Sequence, residues 1–225
     1  MAKKLTVLII EDHPFVLESY RSILELISST NKLLDFKIDT ATNCDTAYSK
    51  IKRAAKENKI DIIFLDIRIP PSADGKILSG EDLGIIINKL IPDSKIIIFT
   101  FLDDSFRIQN LLKNVNPDGL LIKSDITNDE IQKAILTVIS NPPYYSKTIL
   151  KLLRKHISSD FILDEIDRKL LYELSLGTRM KDLPKILFLT IAGIEKRKRH
   201  LKKIFNVKTP DDKSLLLKAK EKGFI

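Results

Sequence analysis

A short apolar run, Ile62 to Leu65, is followed at once by a carboxylate, Asp66, and soon after by Pro70. An unbroken run of β-forming residues is typical of a parallel strand that is covered on both faces, and proline stops such an element. In open parallel sheets, ligands collect at the carboxyl ends of the strands. The stretch therefore predicts a buried strand that presents Asp66 at the functional edge of a sheet.

Strand and helix patterns alternate along the first part of the chain. The strand patterns lie at 5–12, 36–41, 60–66, 94–100 and 119–125, and the helix patterns at 14–28, 45–58, 81–90, 103–114 and 127–140. Such alternation predicts an α/β fold with a doubly wound, five-stranded parallel sheet. After residue 161 the strand pattern disappears. Helix patterns at 164–175, 179–186, 190–205 and 210–222 indicate an all-α segment there.

The net charge of +8 is unevenly distributed along the chain. From Lys151 onward, 19 lysines and arginines stand against 10 aspartates and glutamates, whereas residues 1–150 hold 19 and 20. A basic rear part predicts a polyanion as its partner. We expect one domain at 1–140, a linker that can form a helix at 141–162, and a second domain at 163–225.

The sequence carries no signal for a membrane or for secretion. No apolar run approaches the ~18 residues of a membrane helix, and the start MAKKLTVLIIED lacks a small-residue cleavage site. A single cysteine, Cys44, excludes an internal disulfide and fits a reducing compartment. We therefore expect a cytoplasmic protein without a membrane partner.

Polar side chains that suit phosphoryl chemistry follow four of the predicted strands. They are Glu11 and Asp12 after the first strand, Asp66 after the third, Thr100 at the end of the fourth and Lys123 at the end of the fifth. Three carboxylates at one sheet edge repel unless a cation neutralises them, and such oxygen ligands suit Mg²⁺. Asp66 would then be a nucleophile toward a phosphoryl group, with Thr100 and Lys123 on the phosphoryl oxygens.

This set of residues resembles the receiver domain of two-component response regulators, a flavodoxin-like fold, over about residues 4–140. The resemblance implies that a sensor histidine kinase phosphorylates Asp66, that Thr100 is the switch hydroxyl and that Lys123 is the signature lysine. The Mg²⁺ ligands that it implies are the carboxylates of Glu11, Asp12 and Asp66 and the backbone carbonyl of Arg68.

Two residues depart from the receiver pattern. Leu120 stands three positions before the lysine, where receivers usually carry a Tyr or Phe that swings inward with the threonine. Phe101 follows Thr100, where a small residue is usual. The bulk of Phe101 narrows access to the phosphoryl group, so we expect an altered phosphoryl lifetime.

The stretch from Thr190 to Phe205 predicts a helix that is apolar on one side and basic on the other. Thr190 is a good N-cap, and Ile194, Leu201 and Phe205 recur at helical spacing. The opposite face presents Lys196, Arg199 and Lys203, flanked by Glu195 and His200. Such a helix suits the DNA major groove, although a plain solvated basic helix gives the same pattern.

Residues Leu163 to Phe224 include ELSLGTRMKDLPKILFLTIAGIEKRKRHLKKIF and resemble the helix-turn-helix DNA-binding domain of LuxR/NarL-type regulators. The resemblance implies that Glu195, Lys196 and Arg199 approach bases and that Arg197, Lys202 and Thr190 lie nearer phosphates. It also implies that the last helix, with its leucines 215–217, is the dimer contact on DNA.

The leading hypothesis is a transcription regulator of a two-component pathway, active as a homodimer on double-stranded DNA and switched by Mg²⁺-dependent phosphorylation. On this hypothesis the protein takes its phosphoryl group from a donor and is not a turnover enzyme. The alternative is an interaction module with an atypical receiver that works without phosphorylation, since Leu120 and Phe101 are departures from the switch. A phosphatase is least favoured, because Arg68 stands where a second aspartate is needed.

Overall fold

The computed structural model of the protein describes residues 2–57, 60–101, 105–124, 126–154 and 163–225. Within these residues six strands form one parallel sheet, in the order β2-β1-β3-β4-β5-β6. The strands are β1 Lys3–Ile10, β2 Leu34–Ala41, β3 Ile62–Asp66, β4 Lys95–Thr100, β5 Gly119–Ile122 and β6 Tyr144–Tyr145. The strand order reverses between β1 and β3, which places the topological switch point of the sheet between them.

Helices cover both faces of the sheet and continue beyond it. The helices of the first part are α1 Pro14–Thr30, α2 Cys44–Glu57, α3 Gly80–Leu90, α4 Ser105–Asn114, α5 Asn128–Ser140 and α6 Lys147–Arg154. Those of residues 163–225 are α7 Glu165–Ser175, α8 Leu183–Leu187, α9 Ile191–Ile204 and α10 Asp212–Glu221.

Alternate residues of the strands supply two separate cores. Ile63 and Leu65 pack on one face of the sheet with α2, α3, α4 and α6, whereas Ile62 and Phe64 pack on the other face with α1 and α5. All residues of β3 are buried. The prediction of a strand covered on both faces is confirmed, and with it the predicted α/β doubly wound fold.

The predicted sheet of five strands is one strand short. Asn141 ends α5, and after two prolines the chain runs alongside β5, where Tyr144 lies opposite Gly119 and Tyr145 opposite Leu120. The N–H of Tyr144 also donates to the carbonyl of Asp118, 2.8 Å away. A strand of two residues is too short to show any hydrophobic period, so no sequence pattern predicted it.

The residues proposed as a linker begin with β6 and α6. The side chain of Ile149 in α6 is fully buried in the core that α4 shares with the sheet, so α6 packs on the first domain. Residues 155–162 lie outside the described residues, as do the predicted element ends at Asn58, Asp103 and Asp125. The proposed domain boundaries stay predictions.

Residues 163–225 form a helical unit with a hydrophobic core of its own. The buried positions are Leu170 and Leu171 of α7, Leu183 of α8, Ile194 and Leu201 of α9, and Leu215 of α10. Helix α8 is shorter than the predicted 179–186, because residues 180–182 form a turn and Pro184 lies in the first helical turn. Gly177 takes a φ of +78° just after α7, a conformation that ends a helix and that glycine adopts without strain.

Within the described ranges, none of the helices is both long enough and apolar enough to cross a bilayer. The thiol of Cys44 is fully buried, and burial raises its pKa to about 12.

Candidate functional site

The two acidic segments meet at the carboxyl ends of β1 and β3. These strands are neighbours, with Ile10 opposite Leu65, so the residues that follow Ile10 lie beside Asp66. The backbone N–H of Glu11 donates to the carbonyl of Ala41, 3.0 Å away, which ties this edge to β2 as well. The pairing of the strands therefore brings Glu11, Asp12 and Asp66 together, as the sequence predicted.

The acidic residues form a cluster in which each offers one ligand atom. Ligand atoms of Glu11, Asp12, His13 and Asp66 all lie within 4.8 Å of one another. Glu11 and Asp66 are buried, whereas the Asp12 side chain is 29% exposed and opens the cluster to solvent. Several carboxylate oxygens with one side open are the ligand set that Mg²⁺ prefers.

Lys123 neutralises part of this charge from within the protein. Its Nζ donates to Oε2 of Glu11 and to Oδ2 of Asp66, at 2.6 Å each, and its side chain is only 4% exposed. Three carboxylates and one ammonium group leave two formal negative charges at the site. A divalent cation would cancel them, so the donor set and the charge both fit the predicted ion.

The other carboxylate oxygen of Asp66, Oδ1, is held by the loop that follows β3. The backbone N–H of Arg68 donates to Oδ1 of Asp66 at 3.2 Å. The Arg68 side chain is exposed and lines a cleft of about 510 Å³ beside the strand end. The Arg68 backbone, whose carbonyl the resemblance to receivers implies as a metal ligand, therefore lies next to the Asp66 carboxylate.

Thr100 and Lys123 are joined through their main chains. The N–H of Lys123 donates to the carbonyl of Thr100 at 2.7 Å, and Thr100 is fully buried at the end of β4. In the sheet Asp66 pairs with Phe99, one residue before the threonine. The ends of β3, β4 and β5 thus place Asp66, Thr100 and Lys123 at one edge.

The two departures from the receiver pattern have different environments. Leu120 is fully buried in β5, opposite Ile98, where it belongs to the core shared by α4 and α6. Phe101 is 52% exposed, and its ring centroid lies 5.3 Å from Nζ of Lys123. The Phe101 ring therefore covers the ammonium group that contacts Asp66.

His13 also lies in the acidic cluster. Its Nδ1 lies 2.9 Å from Oδ1 of Asp12 and 3.2 Å from Oε1 of Glu11, although the side chain is 64% exposed. The negative charge of Asp12 raises the pKa of His13 above its ordinary value. In the sequence, the only indication that His13 belongs to this cluster was its position directly after Glu11 and Asp12.

Helix α9 presents the predicted basic face. The Thr190 hydroxyl accepts a hydrogen bond from the N–H of Gly193 at 3.1 Å, which confirms the predicted N-cap. Ile194 and Leu201 are buried against the other helices. The groups that line the open side of the helix are Lys196, Arg197, Arg199, His200 and Lys203.

Three of the predicted DNA-contacting residues are held by other side chains. Arg197 pairs with Asp164 at 2.8 Å and with Asp167 at 2.7 Å, which fixes α9 to the start of α7. Lys202 pairs with Asp212 at 3.0 Å, at the start of α10. Glu195 pairs with Lys198 of its own helix at 3.2 Å.

A buried ion cluster outside the strand ends has no counterpart in the sequence predictions. It joins Glu81 of α3, Arg107 of α4 and Arg168 of α7. The three residues lie in separate helices and share no motif, so only the folded chain brings them together.

Comparison with known proteins identifies the first part of the chain. Residues 7–136 match the family described as the response regulator receiver domain. The match covers more than half of the chain and includes every residue of the acidic cluster, Thr100 and Lys123.

Relatives and solved structures extend the similarity over the whole length. The oxygen regulatory protein NreC of Staphylococcus epidermidis is 26% identical over 90% of this chain and 92% of that protein. The transcriptional regulatory protein LnrK of Bacillus subtilis is 29% identical over 89% of each chain. RcsB of Salmonella enterica serovar Typhimurium, bound to the promoter rprA with a phosphomimetic, superposes with a TM-score of 0.68 at 19% identity, over 97% of this chain and 99% of that one. The chain belongs to the response regulators, with a receiver domain that spans most of its first 140 residues.

Proposed function

We propose that this response regulator accepts a phosphoryl group on Asp66 from a sensor histidine kinase and regulates transcription by binding double-stranded DNA. The observation that carries the proposal is the Lys123 ammonium group between the buried carboxylates of Glu11 and Asp66. It is supported by the receiver family and by relatives whose names describe regulators.

In the transfer, one carboxylate oxygen of Asp66 attacks phosphorus and forms a P–O bond. The P–N bond of the donor phosphohistidine breaks, and the imidazole leaves with a proton from water. Lys123 already lies against the carboxylate, so its ammonium group pairs with a phosphoryl oxygen as charge accumulates there. The Thr100 hydroxyl donates to another phosphoryl oxygen.

Glu11, Asp12, Asp66 and the Arg68 carbonyl are the groups that we propose to hold Mg²⁺. When bound, the ion neutralises the carboxylates and the incoming phosphoryl oxygens. The fit of the donor set rests on ligand atoms within 4.8 Å of one another and on the two uncompensated negative charges.

Residues 163–225 would supply the DNA contacts. Lys196, Arg199, His200 and Lys203 face outward from α9, and we propose Lys196 and Arg199 as base contacts together with Glu195. Thr190, Arg197 and Lys202 are proposed to lie nearer the phosphates. In the structure Arg197 is paired with Asp164 of the α7 N-cap, and Lys202 is paired with Asp212 at the start of α10.

A homodimer is the proposed active form. In α10, Leu215 is fully buried, whereas Leu217 is 54% exposed and lines a shallow apolar surface with Leu216. Burial within the helical unit therefore accounts for Leu215 and leaves Leu216 and Leu217 available for contact with a second copy of the chain. A two-fold dimer would read half-sites about one helical turn apart.

The domain assignment that we propose is a receiver at 1–140, a linker at 141–162 and a DNA-binding domain at 163–225. We propose a cytoplasmic location, which the proposed DNA partner supports. We propose no turnover reaction, because the phosphoryl group stays on the protein as a signal.

A second candidate function is an interaction module that binds partner proteins irrespective of phosphorylation. Leu120 favours it, because this leucine is locked in the core where the receiver pattern has a mobile aromatic side chain.

The DNA affinity of the wild type and of Asp66→Asn, with and without acetyl phosphate and Mg²⁺, separates the two candidates. The probe is a duplex that the wild type selects from a random-sequence pool. We expect tighter binding after phosphorylation in the wild type alone. Equal affinity in all four samples would favour the interaction module.

A further inference from the structure

The turn between α8 and α9 carries an exposed aromatic ring. Phe188 ends α8, and its side chain is 89% exposed. Its backbone takes a φ of +54° and a ψ of +40°, in the left-handed region where a bulky residue is strained. Phe188 therefore combines two unfavourable features, a strained backbone and an aromatic ring in water. Backbone strain of this kind collects at sites that bind a ligand.

Apolar side chains continue from this turn into the recognition helix. Ile191 and Ala192 are the first two residues of α9, and both are exposed. None of the seven residues 188–194 is charged, and the first charge of the helix is that of Glu195. The entry to α9 is thus an exposed apolar patch, made of Phe188, Ile191 and Ala192.

The apolar patch is continuous with the basic side of α9. At 3.6 residues per turn, Ala192 lies within about 40° of Lys196 and of Arg199 around the helix axis. Leu189, from the turn, lines the same cleft as these two cations. A ligand that binds to the basic side therefore also faces the first turn of the helix.

The chemistry of DNA restricts what the apolar patch can contact. Phosphate oxygens and most groups at the base edges are hydrogen-bond donors or acceptors, and an apolar side chain offers them no hydrogen bond. The apolar group that the major groove presents is the C5-methyl group of thymine. In helix-turn-helix proteins the N-terminal residues of the recognition helix reach the base edges. The apolar patch lies at this end of α9 and has the chemistry of a thymine contact.

We propose that Phe188 and Ile191 are specificity-determining residues, which select thymine by burying its C5-methyl group at the bases that face the first turn of α9. The inference rests on the proposed function and names a base that the basic residues do not read. Lys196 and Arg199 carry only hydrogen-bond donors, which suit the acceptors of guanine. Burial of one methyl group corresponds to about a fourfold gain in affinity.

Phe188→Asn is the test variant. Asparagine adopts the left-handed backbone more readily than phenylalanine, and the substitution removes only an exposed ring, so the variant should melt no lower than the wild type. Leu176→Asn is the matched control, because Leu176 is also an exposed apolar residue at the end of a helix of this unit, but it follows α7 and does not precede α9.

The two probes are the selected duplex and the same duplex with deoxyuridine in place of every thymidine, assayed with acetyl phosphate and Mg²⁺ present. Uracil pairs as thymine does and lacks only the methyl group. The wild type should bind the uracil duplex more weakly, by about fourfold for each methyl group contacted. Phe188→Asn should lose affinity for the thymine duplex and little for the uracil duplex, so that the ratio of the two affinities falls toward one. Leu176→Asn should keep the wild-type ratio.

Equal binding of the two duplexes by the wild type would overturn the proposal, and so would a ratio in Phe188→Asn as large as that of the wild type. Ile191→Ala is the second variant, in case Phe188→Asn does not fold. It should also lower the ratio, and an unchanged ratio overturns the proposal. A wild type that selects no duplex from the pool contradicts the proposed function, whereas a wild type that selects one and ignores the methyl groups contradicts only the thymine contact.

Discussion

Nζ of Lys123 lies 2.6 Å from Oδ2 of Asp66, with both side chains almost completely buried. A phosphoryl group on this carboxylate therefore meets a positive charge that the fold has already placed. Before phosphorylation the same ammonium group offsets the repulsion between Asp66 and Glu11. Under the proposed function, Lys123 thus serves both the stability of the resting protein and the phosphoryl chemistry.

Lys123→Met should destabilise the protein strongly, because it leaves two buried carboxylates without their partner. The expected loss in the free energy of unfolding is about 3–5 kcal/mol in the absence of divalent ions. Adding Mg²⁺ should restore part of it, since an ion bound only to the folded state stabilises that state. Urea unfolding followed by circular dichroism measures both effects.

Lys95→Met is the control for this prediction. Lys95 pairs with Asp118 at 3.3 Å but is 35% exposed, so its loss should cost no more than about 1 kcal/mol. Equal effects of the two substitutions, or an Lys123→Met protein that is insensitive to Mg²⁺, would count against the proposed charge balance.

Phe101→Ala should shorten the lifetime of the phosphoryl group. The Phe101 ring covers Nζ of Lys123 at 5.3 Å, so its removal admits water to the acyl phosphate. The measurement is the decay of phosphorylated protein after removal of the donor, followed by intact mass. Phe15→Ala changes an 89% exposed ring at the start of α1 and should leave the decay as in the wild type. A phosphoryl lifetime that Phe101→Ala leaves unchanged would refute the role of Phe101 in limiting the access of water.

Arg199→Ala and Lys202→Ala should weaken DNA binding in different ways. A base contact from Arg199 implies a loss of about 1–3 kcal/mol and a relaxed base preference. A phosphate contact from Lys202 implies a weaker dependence on salt, by about one unit of slope, with the preference retained. Affinities on the selected duplex and on mismatched duplexes, over a range of salt, distinguish the two. Identical profiles would contradict the assignment of the two faces of α9.

The ion pair between Glu81 and Arg168 should be stable at neutral pH and fail only in acid. Burial raises the pKa of Glu81, but Arg107 and Arg168 outweigh it and hold the pKa below the ordinary value of a glutamic acid. Its contribution is therefore complete above the unfolded-state pKa and is lost as the pH falls through the lower, folded-state value. The charged groups that face Glu81 are Arg107 and Arg168, and Asp82 also faces Arg168.

Small-angle scattering across the acid range tests this dependence. The wild type should expand at low pH, whereas Glu81→Gln should already be expanded at neutral pH and change less. Expansion of the wild type near neutral pH would contradict the role of Glu81.

Much of the sheet domain follows from local sequence patterns. The run Ile62–Leu65 and the carboxylate after it predicted a buried strand with Asp66 at its end, because a continuous apolar run depends only on burial of both faces. The N-cap at Thr190 followed from a single side chain, which accepts the predicted backbone hydrogen bond. Each of these features depends only on residues that are close together in the sequence.

Other features depend on contacts between distant segments. Arg168 looks like any charge on a helix until the folded chain places it beside Glu81. Arg197 likewise looks like a free DNA contact until α7 supplies Asp164 and Asp167 as its partners. The start of α10 differs from the predicted residue 210 for a local reason: the backbone N–H of Ser214 donates to Asp211, which makes Asp211 the N-cap and lowers the pKa of that carboxyl to about 2.

The central claim is that Asp66 accepts a phosphoryl group, and the intact mass of the protein after incubation with acetyl phosphate and Mg²⁺ tests it most directly. The wild type should gain one phosphoryl group, and Asp66→Asn under the same conditions should gain none. A wild type that stays unmodified, or a phosphoryl group that persists in Asp66→Asn, would contradict the assignment of Asp66 as the phosphoacceptor.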